Sequence, residues 1–168
     1  QTCALPIWVL LDVARLHGVG RLDAGYAIGA ADLDGALART GLSIEPGDVV
    51  LVRTGQMEHL RAGDKEAYRL PSPGLGVSTP EWFRARDVAA VATDTMPFEV
   101  WPGERPDALL PVHLLHLVEM GMTQGQNWVL DELAEDCAAD GVHEFLLHAT
   151  AEPFVGAVGS PVHPVATK

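Results

Sequence analysis

Residues 46–55, PGDVVLVRTG, place four apolar residues between two turn signals. Pro46-Gly47-Asp48 is typical of a turn, and Val49 to Val52 is a continuous, mostly β-branched apolar run. An apolar run without polar alternation is typical of a strand that is covered on both faces, as in the centre of a parallel sheet. We therefore predict a central strand at Val49 to Val52.

Strand and helix patterns alternate on both sides of this run. Hydrophobic spacing and turn residues predict strands over 9–13, 88–92 and 144–148, and helices over 31–40, 110–120 and 131–139, with a further helix opening at Thr79. Residues 55–68 are predicted to be exposed, 97–107 to be a loop, and 153–164 to be a Gly- and Pro-rich segment that could close a sheet edge. This alternation predicts an α/β fold.

Composition and charge narrow the classes of function. The 168 residues are 48% hydrophobic and 20% charged, as expected of one globular domain with a real core. The net charge is −12, which argues against nucleic acid and anionic membranes as partners because binding phosphate requires basic residues. No apolar run approaches the roughly 20 residues of a membrane span.

Cysteine usage favours a reducing compartment. Only Cys3 and Cys137 are present, so the sequence predicts no disulfide framework and no cysteine-rich zinc site. We expect a cytoplasmic protein.

The first seven residues, QTCALPI, differ in character from the rest. They are what one reading frame of a common sequencing-library adapter would encode, and they lack the basic start and cleavage site of a signal peptide. We interpret residues 1–7 as an assembly artefact, the alternative being a genuine strand, and residues 8–168 as a single domain.

Three motifs carry a resemblance to a known family. Val91-Ala92-Thr93-Asp94-Thr95, the segment 110–133 (LPVHLLHLVEMGMTQGQNWVLDEL) and Gly159-Ser160-Pro161-Val162 resemble the cyclase family, which includes bacterial kynurenine formamidases and isatin hydrolases. The resemblance runs from about residue 9 to residue 166. It implies a swivelling β/β/α architecture, with a mixed sheet, layered helices and a second small sheet.

The family's best-known signature is His-x-Gly-Thr-His-x-Asp-x-Pro-x-His, which supplies most of its metal ligands. No such run occurs in this sequence. The resemblance therefore implies a domain that is incomplete at its amino end, with its catalytic histidines upstream. The catalytic residues stay unassigned.

The resemblance implies two metal ligands in this chain. His113 stands in the Pro-Val-His context in which the family places a ligand histidine, and Gln126 occupies the position of a family glutamate. A carboxamide oxygen can bind a hard cation but brings no charge, so Gln126 is an equally good candidate for a plain loop residue. The implied cofactor is a divalent ion, Zn²⁺ or Mn²⁺.

Three further residues are candidates for parts of the site. Asp94 matches a family Gly-Thr-Asp-Thr run and is predicted to orient a ligand histidine, or else to cap a turn. Arg53 ends the central strand and is interpreted as turn chemistry. His116 lies one turn beyond His113, and we expect it to be partly buried and satisfied by a backbone group.

The function implied is hydrolysis of a small amide, such as N-formylkynurenine in tryptophan catabolism or the cyclic amide isatin, by a metal-activated water. We expect the 168-residue chain by itself to be inactive. The alternative is a non-catalytic binding or oligomerisation module, suggested by Gln126. The resemblance also implies a homodimer, with Trp101, Trp128 and Phe145 as candidate interface or pocket aromatics; core packing is the favoured role for each.

Overall fold

The computed structural model describes residues 7–168, so six residues of the predicted artefact lie outside it. Its strands are β1 Trp8–Asp12, β2 Ala27–Ile28, β3 Val49–Arg53, β4 Gly74–Leu75, β5 Ala90–Thr93, β6 Thr123–Gly125, β7 Glu144–His148 and β8 Val165–Thr167. Its helices are α1 Val13–Leu16, α2 Ala30–Thr40, α3 Glu58–Arg61, α4 Lys65–Arg69, α5 Thr79–Arg84, α6 Pro111–His113 and α7 Asp131–Asp140, and a π-helix spans Leu114–Glu119.

The main sheet is mixed, as the resemblance implied. Its six strands run in the order β6-β5-β3-β1-β7-β8. The first four strands are parallel to one another. Strand β7 is antiparallel to β1, and β8 is antiparallel to β7. A second sheet pairs β2 with β4. The predicted fold class is confirmed, with β3 near the centre of the sheet.

The core has two parts because β1 and β3 are covered on both faces. Val50 and Val52 face the cluster that contains α2 and α5, whereas Leu51 faces the cluster that contains α7. Successive side chains of a strand point to opposite faces, so an unbroken apolar run fills both clusters. Trp128 and Phe145 belong to the second cluster, and Trp101 is half-buried.

The predicted helix over 110–120 consists of a single α-turn followed by the π-helix. Its wider turn changes which side chains face inward. Leu114, Leu117 and Val118 are exposed, and His116 is buried instead. The predicted helix is therefore present, but most of it is a π-helix.

The other predicted strands and helices lie within a few residues of β1, β5, β7, α2, α5 and α7, whereas the short strands β2, β4, β6 and β8 were not predicted. Gly41 ends α2 with a φ of 71°, a left-handed conformation that glycine adopts without strain. Residues 55–68 form the short helices α3 and α4. Throughout the described residues, every helix is too short or too polar to cross a membrane.

Candidate functional site

The candidate site lies where the parallel strands β3, β5 and β6 end. Thr54 follows β3, Asp94 follows β5 and Gln126 follows β6. Because parallel strands run the same way, their carboxyl ends meet at one edge, where α/β proteins commonly bind ligands. The prediction that Asp94 stands just beyond its strand is confirmed.

Asp94 is fully buried and is held by the end of β3. Its Oδ1 accepts hydrogen bonds from the Thr54 backbone N–H at 2.9 Å and the Thr54 hydroxyl at 2.7 Å, and its Oδ2 accepts one from the Gly55 N–H at 2.8 Å. Burial raises the pKa of Asp94 to about 6, against the opposing effect of these donors. Asp94 therefore ties β5 to β3, and its predicted bond to a ligand histidine remains a prediction.

Gly55 makes this contact possible. Its φ is 81°, and a Cβ there would lie 2.2 Å from the Gly20 carbonyl oxygen. Any larger residue would push the turn away from Asp94, so the strand-end turn requires glycine.

His113 is gripped by a buried carboxylate, Glu99. The Glu99 Oε1 accepts the His113 backbone N–H at 2.9 Å and lies 2.6 Å from the ring Nδ1, and its Oε2 accepts the Val112 N–H at 3.1 Å. A carboxylate can only accept, so His113 Nδ1 carries the proton and Nε2 carries the lone pair. Metal-binding histidines are commonly oriented by a carboxylate in this way.

Glu99 was missed by the sequence reasoning. It lies in the Pro- and Gly-rich segment that was predicted to be a loop, and its only local signal is an acidic residue between Phe98 and Val100. That segment is fixed against β4, because the Leu75 N–H donates to the Phe98 carbonyl at 3.2 Å and the Val100 N–H donates to the Leu75 carbonyl at 3.1 Å. Glu99 therefore projects from a rigid backbone.

Gln126 and His113, the two predicted ligands, lie side by side. The Gln126 Nε2 is 2.9 Å from His113 Nε2 and donates to its lone pair. Rotating the carboxamide about its terminal bond brings its oxygen to the same place. An imidazole nitrogen and a carboxamide oxygen then lie side by side, and both are atom types that bind divalent ions.

The pair does not make a complete ligand set. Within residues 7–168, no group of three or more His, Cys, Asp or Glu side chains is close enough to hold one ion. What the described residues provide is an oriented imidazole with a neutral oxygen donor beside it.

His116 differs from its predicted role. It is fully buried, and neither ring nitrogen has a hydrogen-bond partner in the described part of the chain. Its ring lies edge-on between Phe83 at 5.5 Å and Phe98 at 5.4 Å, measured between centroids. Burial, together with the nearby His113, lowers its pKa to about 4. The expectation of a backbone partner was wrong, because the ring packs against aromatic side chains instead.

Arg53 also does more than form a turn. Its buried guanidinium donates to Asp131 at 3.0 Å, to Asp12 at 3.1 Å and to the Gly20 carbonyl at 3.2 Å. It therefore joins β1, β3 and α7 through a buried ion cluster. The turn interpretation was incomplete because these partners are distant in sequence.

Comparisons with known proteins agree with this fold. A model of the family described as "Putative cyclase" matches residues 3–100. A solved structure described as a novel cyclase is 40% identical, with a TM-score of 0.86, and its alignment covers 99% of this chain and 55% of that one. No curated protein matches the chain.

Two more distant structures share the fold. An isatin hydrolase bound to the product analogue thioisatinate is 18% identical, with a TM-score of 0.75 and coverage of 96% of this chain and 59% of that one. A potential metal-dependent hydrolase with cyclase activity is 16% identical, with a TM-score of 0.66 and coverage of 96% and 64%. The chain thus spans a little over half the length of the structures it matches.

Proposed function

The chain belongs to the cyclase family, and on that basis we propose that it is part of a metal-dependent hydrolase of a small amide, of the arylformamidase type. The observation that carries the proposal is the pair of hydrogen bonds that connects Glu99 to His113 and His113 to Gln126. The isatin hydrolase and the potential metal-dependent hydrolase that share the fold support it. The proposed substrates are N-formylkynurenine or a cyclic amide such as isatin, and the proposed location is the cytoplasm.

His113 Nε2 and the Gln126 oxygen are the proposed metal ligands in this chain. Bound there, Zn²⁺ or Mn²⁺ would acidify a water and polarise the amide carbonyl. Glu99 fixes the proton on Nδ1, so the Nε2 lone pair is available without a change of tautomer. The neutral oxygen of Gln126 suits Mn²⁺ better than Zn²⁺.

We propose that turnover belongs to the whole gene product and that the 168-residue chain by itself has little or none. Catalytic zinc sites use three protein ligands, and His113 with Gln126 would supply two, both neutral. The predicted role of Asp94, to orient a further ligand histidine, is part of the same proposal.

Self-association is the proposed partner interaction. The π-helix exposes Leu114, Leu117 and Val118, and Leu109 is exposed just before it. Exposed apolar side chains grouped in this way are typical of an interaction surface. They support the proposed homodimer.

A non-catalytic binding module is the second candidate. The observation in its favour is that the Gln126 amide satisfies the His113 lone pair directly. A protein that keeps this contact would have no place for an ion between the two side chains.

The test uses the full gene product, stripped with a chelator and reloaded with Mn²⁺ or Zn²⁺, with N-formylkynurenine and isatin as substrates. We expect turnover that depends on the metal, its loss in H113A, and no change in H148A, which removes an exposed histidine outside the site. Metal binding without turnover of either substrate would contradict the amide-hydrolase proposal. Failure to bind either metal would favour the binding module.

A further inference from the structure

Gln126 is followed by a residue in an unusual backbone conformation. Asn127 has a φ of 61°, in the left-handed region that side-chain-bearing residues rarely adopt. Such residues persist only where the surroundings hold them, and they cluster at functional sites. Phe98, which directly precedes Glu99, has a φ of 63°. Both partners of the His113 ring are therefore adjacent to a left-handed residue.

The backbone around Asn127 is anchored to the end of β5. The Asn127 N–H donates to the Thr95 carbonyl at 3.0 Å, and the Trp128 N–H donates to the Thr93 carbonyl at 3.1 Å. These two bonds fix the chain on the far side of Gln126. The Asn127 side chain is the further group that can fix the conformation of this turn.

That side chain is held by Tyr68, whose hydroxyl donates a short hydrogen bond to Asn127 Oδ1. Tyr68 lies on α4 and is buried. Burial and the nearby Asp94 raise the pKa of Tyr68 to about 12, so its hydroxyl stays a donor at neutral pH. The contact joins segments 59 residues apart in sequence.

Tyr68 is itself fixed from the strand end that holds Asp94. The buried Gln56 carboxamide donates to the Ala67 carbonyl at 2.9 Å and to the Tyr68 carbonyl at 3.0 Å. The Gln56 N–H in turn donates to the Thr54 hydroxyl oxygen at 3.1 Å. A series of hydrogen bonds therefore connects Asp94, through Thr54, Gln56 and Tyr68, to Asn127, the residue beside Gln126.

We propose that Tyr68 is a positioning residue for the metal site: its hydroxyl holds Asn127 in the left-handed turn that aims the Gln126 carboxamide at His113 Nε2. The inference rests on the proposed function, because it assigns Tyr68 a role in ordering the Gln126 ligand. In physical terms, one buried hydroxyl restricts the backbone conformation of the turn before any ion binds.

The test compares Y68F, N127G and N127A with a matched control, Y26F, in the full gene product. Tyr26 is the other tyrosine, and its hydroxyl bonds His17 and Asp32. One readout is the ¹⁵N chemical shifts of the Gln126 carboxamide and the His113 ring in metal-free protein. The other is the Mn²⁺ dissociation constant from calorimetry, and circular dichroism checks folding.

Y68F and N127G are expected to move both ¹⁵N signals and to weaken Mn²⁺ binding about tenfold, as loss of outer hydrogen bonds to metal sites does. N127G removes the acceptor of the Tyr68 hydrogen bond, but glycine adopts the left-handed conformation without strain. N127A removes the same acceptor and also strains that conformation, so it should weaken binding further. Y26F should change neither readout. If Y68F does not fold, N127G decides the question.

Unchanged ¹⁵N signals in Y68F and N127G would overturn the positioning role, whatever the metal affinity. If the unmodified protein binds no Mn²⁺ but Y68F still moves the Gln126 and His113 signals, the positioning role holds and the metal proposal fails. The two failures are therefore distinguishable.

Discussion

Replacing His116 with leucine should stabilise the protein at neutral pH. Both ring nitrogens are buried without partners among the described residues, and an unsatisfied buried polar group costs about 1–3 kcal/mol. Leucine is close in size to histidine and has no polar atoms. Allowing for imperfect packing between Phe83 and Phe98, we expect H116L to raise the free energy of unfolding by about 1–2 kcal/mol.

The same substitution should change the response to acid. The pKa of His116 is lowered from 6.5 to about 4 in the folded protein, so the unfolded chain binds the proton more tightly. The free energy of unfolding therefore falls as the pH drops from about 6.5 to about 4. Between about pH 7.5 and pH 5 this one group accounts for a loss of about 2 kcal/mol, since 1.36 kcal/mol corresponds to each unit.

Urea unfolding, followed by circular dichroism at pH 7.5 and pH 5, measures both effects. H116L should lose about 2 kcal/mol less than the unmodified protein over this interval. The titrations of Asp94 and His143 are common to both proteins and cancel in the comparison. H148L, which removes an exposed histidine, should follow the unmodified protein. If the free energy of unfolding depends on pH in the same way for H116L and the unmodified protein, the reasoning is refuted. His116 would then have the same pKa in the folded and the unfolded chain.

Two other substitutions test the buried carboxylates and their partners. E99Q removes the negative charge beside the His113 ring and replaces one of the two acceptor oxygens with an NH2 donor, so it should weaken metal binding by about 10- to 100-fold in calorimetry; an unchanged affinity would show that Glu99 does not orient the imidazole. R53M leaves the charge of Asp131 without its buried partner and should lower the free energy of urea unfolding by about 3–5 kcal/mol, whereas a loss below about 1 kcal/mol would mean that water replaces the guanidinium.

Much of the fold was predictable because it depends on local patterns. The unbroken apolar run at Val49 to Val52 predicted a strand covered on both faces, and the structure places it between β1 and β5. Gly41 predicted the end of α2. These signals work because period, turn residues and caps are read from neighbours in the sequence. The helix predicted over 110–120 is present, but its apolar spacing did not reveal that most of it is a π-helix.

The candidate site was only half predictable. His113 and Gln126 were named from the family motifs, and the structure brings their side chains together. Glu99 and Tyr68 were not, because neither carries a local signal of its role. Tyr68 acts through a hydrogen bond to Asn127, 59 residues away, and Glu99 acts through three hydrogen bonds to Val112 and His113, which follow an irregular loop.

The sequence by itself determined the α/β class, the central strand and the approximate bounds of the longer strands and helices. Only the tertiary structure decided which polar groups meet: Arg53 with Asp131, 78 residues away, Asp94 with Thr54, 40 residues away, and His116 with no polar group among the described residues. The physical reason is that helix and strand formation depend on residues a few positions apart. Hydrogen-bond partners inside a core depend instead on the order of strands in the sheet and on the packing of helices against it.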